Sequence, residues 1–438
     1  MSKDYGGVLN DLVAGRWRHP ISGKTASVDF KSIVIRDTLD GDEPSLLDSI
    51  GFAEKKIAVV SDRFTRDALA GHVVRNLKAA GFELDDIVWA NPRCSDEGVE
   101  ELRGLTSSAE ALVAVGSGTI NDSVKYAAFL DGKPFATFPT SPMTAHFAGS
   151  ASVSVDGMKK SIPAHHAEGV FVDLDVLRAC PMRLIWSAYA DVVCRTTAQV
   201  DWLLSHRLLD TSYHDTVYHL LAPDEPELMA DPEAVAARDV DAIARVTRMN
   251  GLMGLGTAFA GTTHHGSMAE HMLSHYIDMF AGDDHPGTTH GEQVGVATLA
   301  MNRLHHLILD GSVPPVMRAT VVDREAIETR FGTAIADVCL KSFEAKRFDQ
   351  AETDRLNEKL AAIWPALTAE LRPLMLNPKD IEDALRRVGA PVSAADLGLS
   401  VEFWRDAIRY SRFTRDRYTM LDLAGDAGLL DDFSNSCN

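Results

Sequence analysis

The sequence is short of cysteine, and it lacks long apolar runs. Its 5 cysteines lie far apart among 438 residues, with no close pair of the kind found in structural zinc sites or redox motifs, so we expect free thiols. No stretch approaches the roughly 18 apolar residues of a membrane span, and the opening residues lack the basic start and apolar run of a secretory signal. These absences predict a cytoplasmic protein without a membrane span.

Positive charge is also scarce. Lysine and arginine number 43 against 63 aspartates and glutamates, which gives a formal net charge of -20. Because nucleic acids and anionic membranes require a positive surface, a general partner of either kind is excluded. An anionic substrate would need a local basic pocket. The hydrophobic content of 45% and the chain length are enough for a large core and indicate two domains.

Strand and helix patterns occupy different parts of the chain. Short apolar, β-branched runs alternate with helical patterns in the first part, which is typical of βαβ units around a parallel sheet. These runs are Ile57–Val60, Ile87–Ala90, Ala111–Val115 and Phe135–Phe138. After Asp175 only helical periodicity remains, at 184–206, 237–259, 265–280, 291–309, 335–346, 352–371 and 401–410. The sequence predicts an α/β, Rossmann-like domain over 1–180 and an all-α bundle over 181–438, with the boundary at Cys180-Pro181.

A glycine-rich turn follows the third of these strands, in AVGSGTINDSVKYAA at 114–128. Gly116 and Gly118 let the backbone approach a ligand closely, and the N–H groups that follow, from Thr119 onward, would lie at the positive end of a helix dipole. A pyrophosphate would fit there, so residues 1–180 are a candidate dinucleotide-binding domain. The alternative is a plain structural turn between strand and helix.

Asp62 ends the first predicted strand of this region, in VVSDRFT. A carboxylate at that position can accept hydrogen bonds from a ribose and repel an added 2′-phosphate, which favours NAD over NADP. The alternative is that Asp62 only caps the next helix.

The helical part carries a second set of polar residues, Asp191, His271 and His290. His271 and His275 are four residues apart and share one helix face, while His290 opens the next predicted helix. One carboxylate and two imidazoles would suit a divalent metal. Since the chain has 16 histidines, packing without a metal is the alternative.

A basic or neutral-polar cluster precedes the predicted strand GVFVD in the first part of the chain, at Lys159, Lys160, His165 and His166. Lys160 offers a point charge that suits a phosphate. The alternative is a solvated turn at the end of a hairpin.

Taken together, these segments resemble the glycerol-1-phosphate dehydrogenases, within the superfamily of iron-type alcohol dehydrogenases, glycerol dehydrogenases and dehydroquinate synthases. The resemblance covers about 55–432 and rests on GSGTINDSVKYAA, on the passage FVDLDVLRACPMRLIWSAYADVVCRTTAQVDW, on GSMAEHMLSH with THGEQVGVATL, and on RDRYTMLDLAGDAGLLDD. It implies a dehydroquinate synthase-like fold and a homo-oligomer that transfers hydride between NAD, or alternatively NADP, and a small ketose or polyol, phosphorylated and therefore anionic.

The resemblance also implies roles for individual residues. One divalent metal, zinc or alternatively iron or nickel, is expected on Asp191, His271 and His290. Cofactor contacts are implied for Asp62, Gly116, Ser117, Gly118, Thr119, Asp122 and Thr140. The proton is expected to leave through water or through His275, since an imidazole suits a relay. Lys160, Arg195 and His165 are the expected contacts of an anionic group, Arg195 standing where these dehydrogenases tend to have lysine and the iron alcohol dehydrogenases a histidine.

One departure from the family concerns the substrate. Members carry an aspartate near the substrate after a Pro-Thr, but this chain has no acidic residue from Phe138 to Val155, and the position falls on Ala145 or His146. A dehydrogenase of an unphosphorylated polyol is therefore an alternative. A dehydroquinate-synthase-like cyclase that uses NAD transiently and a degenerate relative without activity are two others.

Overall fold

The computed structural model describes residues 3–155 and 158–437. By its internal contacts the chain divides into two units, Met1–Ala188 with Asp215–Gly261, and Tyr189–His214 with Thr262–Asn438. A single cut after residue 180 does not produce this division, because 215–261 belongs with the N-terminal part. Within that unit Asn250 donates a hydrogen bond of 3.0 Å to the carbonyl of Ala188.

The first unit is built on a six-stranded, entirely parallel sheet, as the βαβ pattern predicts. The strands of the chain are β1 (Ser32–Arg36), β2 (Ile57–Ser61), β3 (Leu84–Val88), β4 (Ala111–Gly116), β5 (Phe135–Pro139), β6 (Ser150–Val155), β7 (Met158–Pro163) and β8 (Gly169–Asp173). The sheet order is β1-β8-β5-β4-β2-β3, and β6 and β7 form a separate antiparallel hairpin. The interior strands β2, β4, β5 and β8 are buried along their whole length, which explains their continuous apolar sequences.

One strand begins earlier than its apolar run indicates. The run predicted as Ile87–Ala90 is replaced by β3, Leu84–Val88, which contains Asp85 and Asp86. This strand is at the edge of the sheet, where charged side chains reach solvent, so hydrophobicity alone misplaced it.

Helices cover both faces of the sheet and extend the unit. They are α1 (Val8–Val13), α2 (Glu43–Ser49), α3 (Arg63–Thr65), α4 (Gly71–Ala79), α5 (Asp96–Leu105), α6 (Gly118–Leu130), α7 (Leu174–Ala179) and α8 (Met182–Val193), the last ending in the second unit. After α9 (Arg195–Leu209) of the second unit, the chain returns for α10 (Thr216–Leu221), α11 (Glu225–Ala230), α12 (Pro232–Ala236) and α13 (Val240–Ala260).

The second unit is helical throughout the part that the structure describes. It contains α9 and then α14 (Ala269–Phe280), α15 (His290–Leu309), α16 (Arg324–Phe331), α17 (Thr333–Phe343), α18 (Gln350–Leu371), α19 (Pro378–Val388), α20 (Val401–Tyr410), α21 (Met420–Asp426) and α22 (Leu430–Ser436). The segment predicted as one helix over 184–206 is two helices, α8 and α9, because the helix is interrupted at Cys194. Among the described helices, none is both long enough and apolar enough to cross a membrane.

Candidate functional site

The order of the strands creates a crevice at the carboxyl edge of the sheet. From β2 the chain moves outward to β3, and it then returns to the other side of β2 as β4. At such a switch point the loops after the two central strands separate, and ligands of open α/β sheets bind there. A cavity of about 870 Å³ opens at this edge. Asp62, Ser117, Thr140 and Asp173 all line it, and they follow or end β2, β4, β5 and β8.

The glycine turn predicted as a phosphate loop lies at this crevice. A Cβ on Gly116 would lie 2.6 Å from the Cβ of Ile120, so only glycine allows α6 to begin so close to the end of β4. Ser117 is the N-cap residue of α6, but its side chain makes no capping bond, which leaves the first N–H groups of the helix for a ligand. Thr140 donates its N–H to the carbonyl of Gly116 at 3.0 Å and fixes the turn.

Asp62 caps a helix, which is one of the two roles that the sequence left open, and its proposed contact with a ribose stays a prediction. Its Oδ1 accepts the N–H groups of Phe64 and Thr65, both at 2.8 Å, and so caps α3. In the described part of the chain its Oδ2 accepts no hydrogen bond, and the residue lines the cavity. Capping by one oxygen therefore leaves the other for a ribose hydroxyl.

Asp122 lies beneath the phosphate loop rather than in the cavity. Its Oδ1 accepts from Lys125 Nζ at 3.0 Å and its Oδ2 from the N–H of Ser152 at 3.0 Å. The Lys125 side chain is fully buried, and its Nζ also donates to the carbonyls of Ala145 (2.7 Å) and Ser150 (2.9 Å). The pair thus ties α6 to the 144–150 segment. Asp122 is not among the residues that line the cavity, and the cofactor contact that the resemblance implies for it stays a prediction.

The structure places His146 inside the core. Its Nδ1 lies 3.3 Å from Thr137 Oγ1, and burial and the nearby Lys125 lower the pKa of His146 to about 3. A buried, neutral imidazole cannot replace the aspartate that the family places near its substrate, and neither can the methyl group of Ala145.

The predicted anion contacts of the first unit do not converge on the cavity. His165 packs against Phe129 and Phe135, with ring centroids 5.9 Å and 5.4 Å away. Phe135 begins β5, so His165 lies at the amino edge of the sheet, about one strand length or 17 Å from the crevice. Lys160 lies in β7 opposite Val153 and is not among the residues that line the cavity. His165 is thus remote from the crevice, and its contact with an anionic group of the substrate stays a prediction.

The second unit brings the three predicted metal residues together. Asp191, His271 and His290 each offer one ligand atom, and these atoms all lie within 4.8 Å of one another. His271 Nε2 is 3.5 Å from Asp191 Oδ1, and the ring centroids of His271 and His290 are 4.9 Å apart. Gly295 allows this approach, because a Cβ there would lie 2.9 Å from the Cβ of Ala190, next to Asp191.

Hydrogen bonds orient both imidazoles toward the cluster. His271 Nδ1 is 3.0 Å from Glu270 Oε1, which also accepts the N–H of Met268. His290 Nδ1 is 2.9 Å from Ser274 Oγ, whose proton goes to Gln293 Oε1. Each Nδ1 therefore carries the proton, and each Nε2 is the atom that can bind a metal. Outer partners of this kind are typical of metal-binding histidines, so the residues present fit a divalent ion.

The charges around His271 also suit a cation. Burial alone would lower its pKa, but the carboxylates of Asp191 and Glu270 outweigh burial and raise it. The pKa of Glu270 is lowered, since the contacts with His271 and Met268 outweigh the opposing effect of its burial. Two carboxylates beside one imidazole thus form a negative site that attracts a divalent ion.

Two further polar triads fit a metal less well. In the first unit, His19 Nδ1 accepts the N–H groups of Ile21 and Ser22, so its Nε2 carries the proton and donates to Asp215 at 3.0 Å. In the second unit, Cys194 lies near Glu270 and His271, but burial and the neighbouring carboxylates raise the pKa of its thiol well above the usual range. A protonated thiol is a poor metal ligand.

His275 lies beside the metal cluster, with its ring centroid 5.9 Å from that of His290. Arg415 Nη2 is 2.9 Å from His275 Nδ1. The same Nη2 is 3.4 Å from His275 Nε2. Because arginine only donates, the nearer Nδ1 is the better acceptor, which favours the tautomer with the proton on Nε2. The sequence assigned no role to Arg415, whose partner lies 140 residues earlier in the chain. Arg195, a predicted contact of an anionic group on the substrate, begins α9 and donates to Gln199 Oε1 at 2.7 Å.

Comparison with known proteins places this chain among dehydrogenases. Residues 34–181 match the family described as iron-containing alcohol dehydrogenase. The chain is 28% identical over 374 residues to a glycerol-1-phosphate dehydrogenase (NAD(P)+) of Halalkalibacterium halodurans, covering 83% of this chain and 85% of that protein. It is 32% identical over 239 residues to the protein of the same description from Pyrococcus abyssi, covering 54% and 68%.

Solved structures share the fold at low identity. A probable glycerol dehydrogenase from Sinorhizobium meliloti superposes with a TM-score of 0.59 at 18% identity, over 93% of this chain and 98% of that one. An NADH-dependent butanol dehydrogenase from Thermotoga maritima gives a TM-score of 0.60 at 14% identity, over 94% and 98%. The resemblance read from the motifs is confirmed.

Proposed function

Since this chain belongs to the glycerol-1-phosphate dehydrogenase family, we propose that it transfers hydride between NAD(H) and a phosphorylated three-carbon ketose or polyol of the dihydroxyacetone phosphate type. It is a metal-dependent, NAD(P)-linked oxidoreductase acting on a polyol or its phosphate. The observation that carries the proposed hydride transfer is the cluster of Asp191, His271 and His290. Hydrogen bonds to the Nδ1 atoms of both imidazoles orient their Nε2 atoms toward this cluster.

The first unit supplies the cofactor site in this proposal. The N–H groups at the start of α6 would hold the pyrophosphate, and Ser117 and Thr140 would line its path. Oδ2 of Asp62 would accept a ribose hydroxyl. Among the residues lining the cavity are four aspartates and no lysine or arginine, so an added 2′-phosphate would meet negative charge. This favours NAD over NADP.

The second unit supplies the reaction centre. Asp191, His271 and His290 would hold the divalent ion, for which we propose zinc because a set of one carboxylate and two imidazoles suits it. When bound, such an ion acts as a Lewis acid toward a carbonyl or hydroxyl oxygen. Glu270 and Ser274 fix the two imidazoles, and His275 holds a proton at Nε2 for exchange with the substrate hydroxyl.

The proposal is tested by assaying zinc-reconstituted protein with NADH and dihydroxyacetone phosphate. We expect stoichiometric loss of NADH absorbance, abolished by a chelator and restored by metal. A cyclase that uses the cofactor transiently would bind NAD without net consumption of NADH. A higher kcat/KM for dihydroxyacetone than for its phosphate would instead favour the unphosphorylated polyol dehydrogenase, to which the missing aspartate after Pro139-Thr140 also points.

Replacing Asp62 with asparagine is expected to weaken the preference for NAD. Like charges about 4 Å apart repel by about 1 kcal/mol in bulk water and by more near a protein surface, so the NADP-to-NAD ratio of kcat/KM should rise at least about fivefold. Asparagine caps helices as well as aspartate does, so Asp62→Asn should keep its stability, whereas Asp62→Ala should lose about 1 kcal/mol. If the NADP-to-NAD ratio of kcat/KM is unchanged in Asp62→Asn, Asp62 serves only as a helix cap.

A further inference from the structure

Two arginines beside the metal cluster have no carboxylate partner. In the described part of the second unit, Arg415 donates only to His275, and Arg417 donates only to Thr263 Oγ1, at 2.6 Å, and to the carbonyl of Ser267. Arg412, three residues before Arg415, shows the usual arrangement, since it pairs with Asp422 and Asp426 at 3.2 Å and 2.8 Å. Within the described residues the segment therefore holds two guanidinium groups that form no direct ion pair, and the carboxylates of Asp416 and Glu270 act on them only through space.

The two arginines lower the pKa values of neighbouring basic groups more than Asp416 or Glu270 raises them. Burial lowers the pKa of Arg415 to about 10, and burial together with the charge of Arg415 lowers that of Arg417 to about 9. Burial and both arginines also contribute to lowering the pKa of His264, to about 3. Holding two poorly solvated cations together is unfavourable without an anion. Both arginines are partly exposed, so a ligand can reach them.

The two arginines contact the middle of the metal-binding helix and the residues just before it. Arg415 contacts His275, which lies one helical turn beyond His271 on α14. Arg417 contacts Ser267, two residues before α14 begins. A substrate whose oxygen atoms lie at the metal cluster would therefore extend its far end toward the guanidinium groups. Their planar arrays of N–H donors match the oxygens of a phosphate.

We propose that Arg415 and Arg417 bind the phosphate of the substrate and set the preference for phosphorylated over neutral ketoses. This inference rests on the function proposed above. A phosphomonoester is the better match than a carboxylate, because a dianion balances both cations. The two arginines also provide the local basic pocket that an anionic substrate requires in a protein with a net charge of -20.

The test compares Arg415→Met and Arg417→Met with Arg409→Met. Arg409 is the matched control, because it lies on α20 and pairs with Asp431 at 3.0 Å. With dihydroxyacetone phosphate, kcat/KM should fall roughly 10- to 150-fold in either test variant, as for loss of one charge-assisted hydrogen bond. With dihydroxyacetone, Arg417→Met should lose less than about threefold. Arg415→Met also removes the hydrogen bond to His275 and should lose some activity on this substrate, but at least about tenfold less than on the phosphate. Arg409→Met should match the wild type on both substrates.

Two further measurements separate anion binding from other roles. Inorganic phosphate should inhibit dihydroxyacetone reduction by the wild type, and its inhibition constant should rise at least about tenfold in Arg415→Met, with metal content unchanged. Equal losses on both substrates, or loss of metal, would overturn the proposal and leave Arg415 as a support for His275. If the wild type prefers dihydroxyacetone but phosphate inhibition still depends on the arginines, the anion site stands and the phosphorylated substrate of the proposed function fails.

Discussion

His271→Ala is expected to lose the divalent ion and at least about 1,000-fold in kcat/KM, a change of about 4 kcal/mol. The variant removes one of two imidazoles and leaves Asp191 and His290 as a two-ligand site. It also leaves the buried carboxylate of Glu270 without its contact to His271 Nδ1. Metal analysis after reconstitution and NADH oxidation with dihydroxyacetone phosphate measure the two effects.

His306→Ala is the matched control for this variant. His306 lies on α15 with His290, but its Nδ1 is 3.0 Å from Asp310 and its Nε2 is 3.1 Å from the carbonyl of Leu376. It should keep metal and turnover. A His271→Ala protein that retains one ion per chain would refute the assignment of His271 as a ligand, whatever its activity.

Lys125→Met should lower the free energy of unfolding by about 3–5 kcal/mol, because it leaves a buried carboxylate unpaired. Methionine fills most of the volume of lysine but donates no hydrogen bond. Asp122 then loses its cation, and the carbonyls of Ala145 and Ser150 lose their donor. Urea unfolding of the apo-protein, followed by circular dichroism, measures the change.

Adding Asp122→Asn to Lys125→Met separates charge from packing. The double variant removes the uncompensated charge, so it should recover part of the lost stability, and the two substitutions should be strongly non-additive. A loss below about 1 kcal/mol in Lys125→Met alone would show that water replaces the ammonium group.

Local sequence patterns predicted the strand and helices that carry the site better than they predicted which side chains contact one another there. The apolar run before Gly116 and the helix after it are continuous in sequence, so their geometry followed from the residues alone. The spacing of His271 and His275 likewise placed both on one helix face. Asp191 was grouped with the two histidines by residue type, but the sequence left packing without a metal as the alternative, because the approach of Asp191 to His271 depends on how helices far apart in sequence pack.

The other differences between the sequence predictions and the structure also depend on contacts between residues far apart in the chain. Asp122 looked like a ligand residue of the phosphate loop, but the carbonyls that complete its partner Lys125 belong to a segment more than fifteen residues away, at 145 and 150. Arg415 was part of a recognised motif without a role, because a buried cation is identified only once the absence of a carboxylate neighbour is known. In both cases the missing information was the set of tertiary contacts.

The return of residues 215–261 to the first unit has a consequence for biosynthesis. When Ala188 leaves the ribosome, the sheet is complete in sequence but α13 has not been made, and synthesis at about 5–20 residues per second leaves this gap open for several seconds. Gly251 of α13 faces Leu9 and Phe147, which stay uncovered during that time. A fragment ending at residue 180 would keep that apolar surface permanently exposed, so we expect it to aggregate when expressed alone. We expect the nascent chain to depend on chaperones until Gly261 emerges.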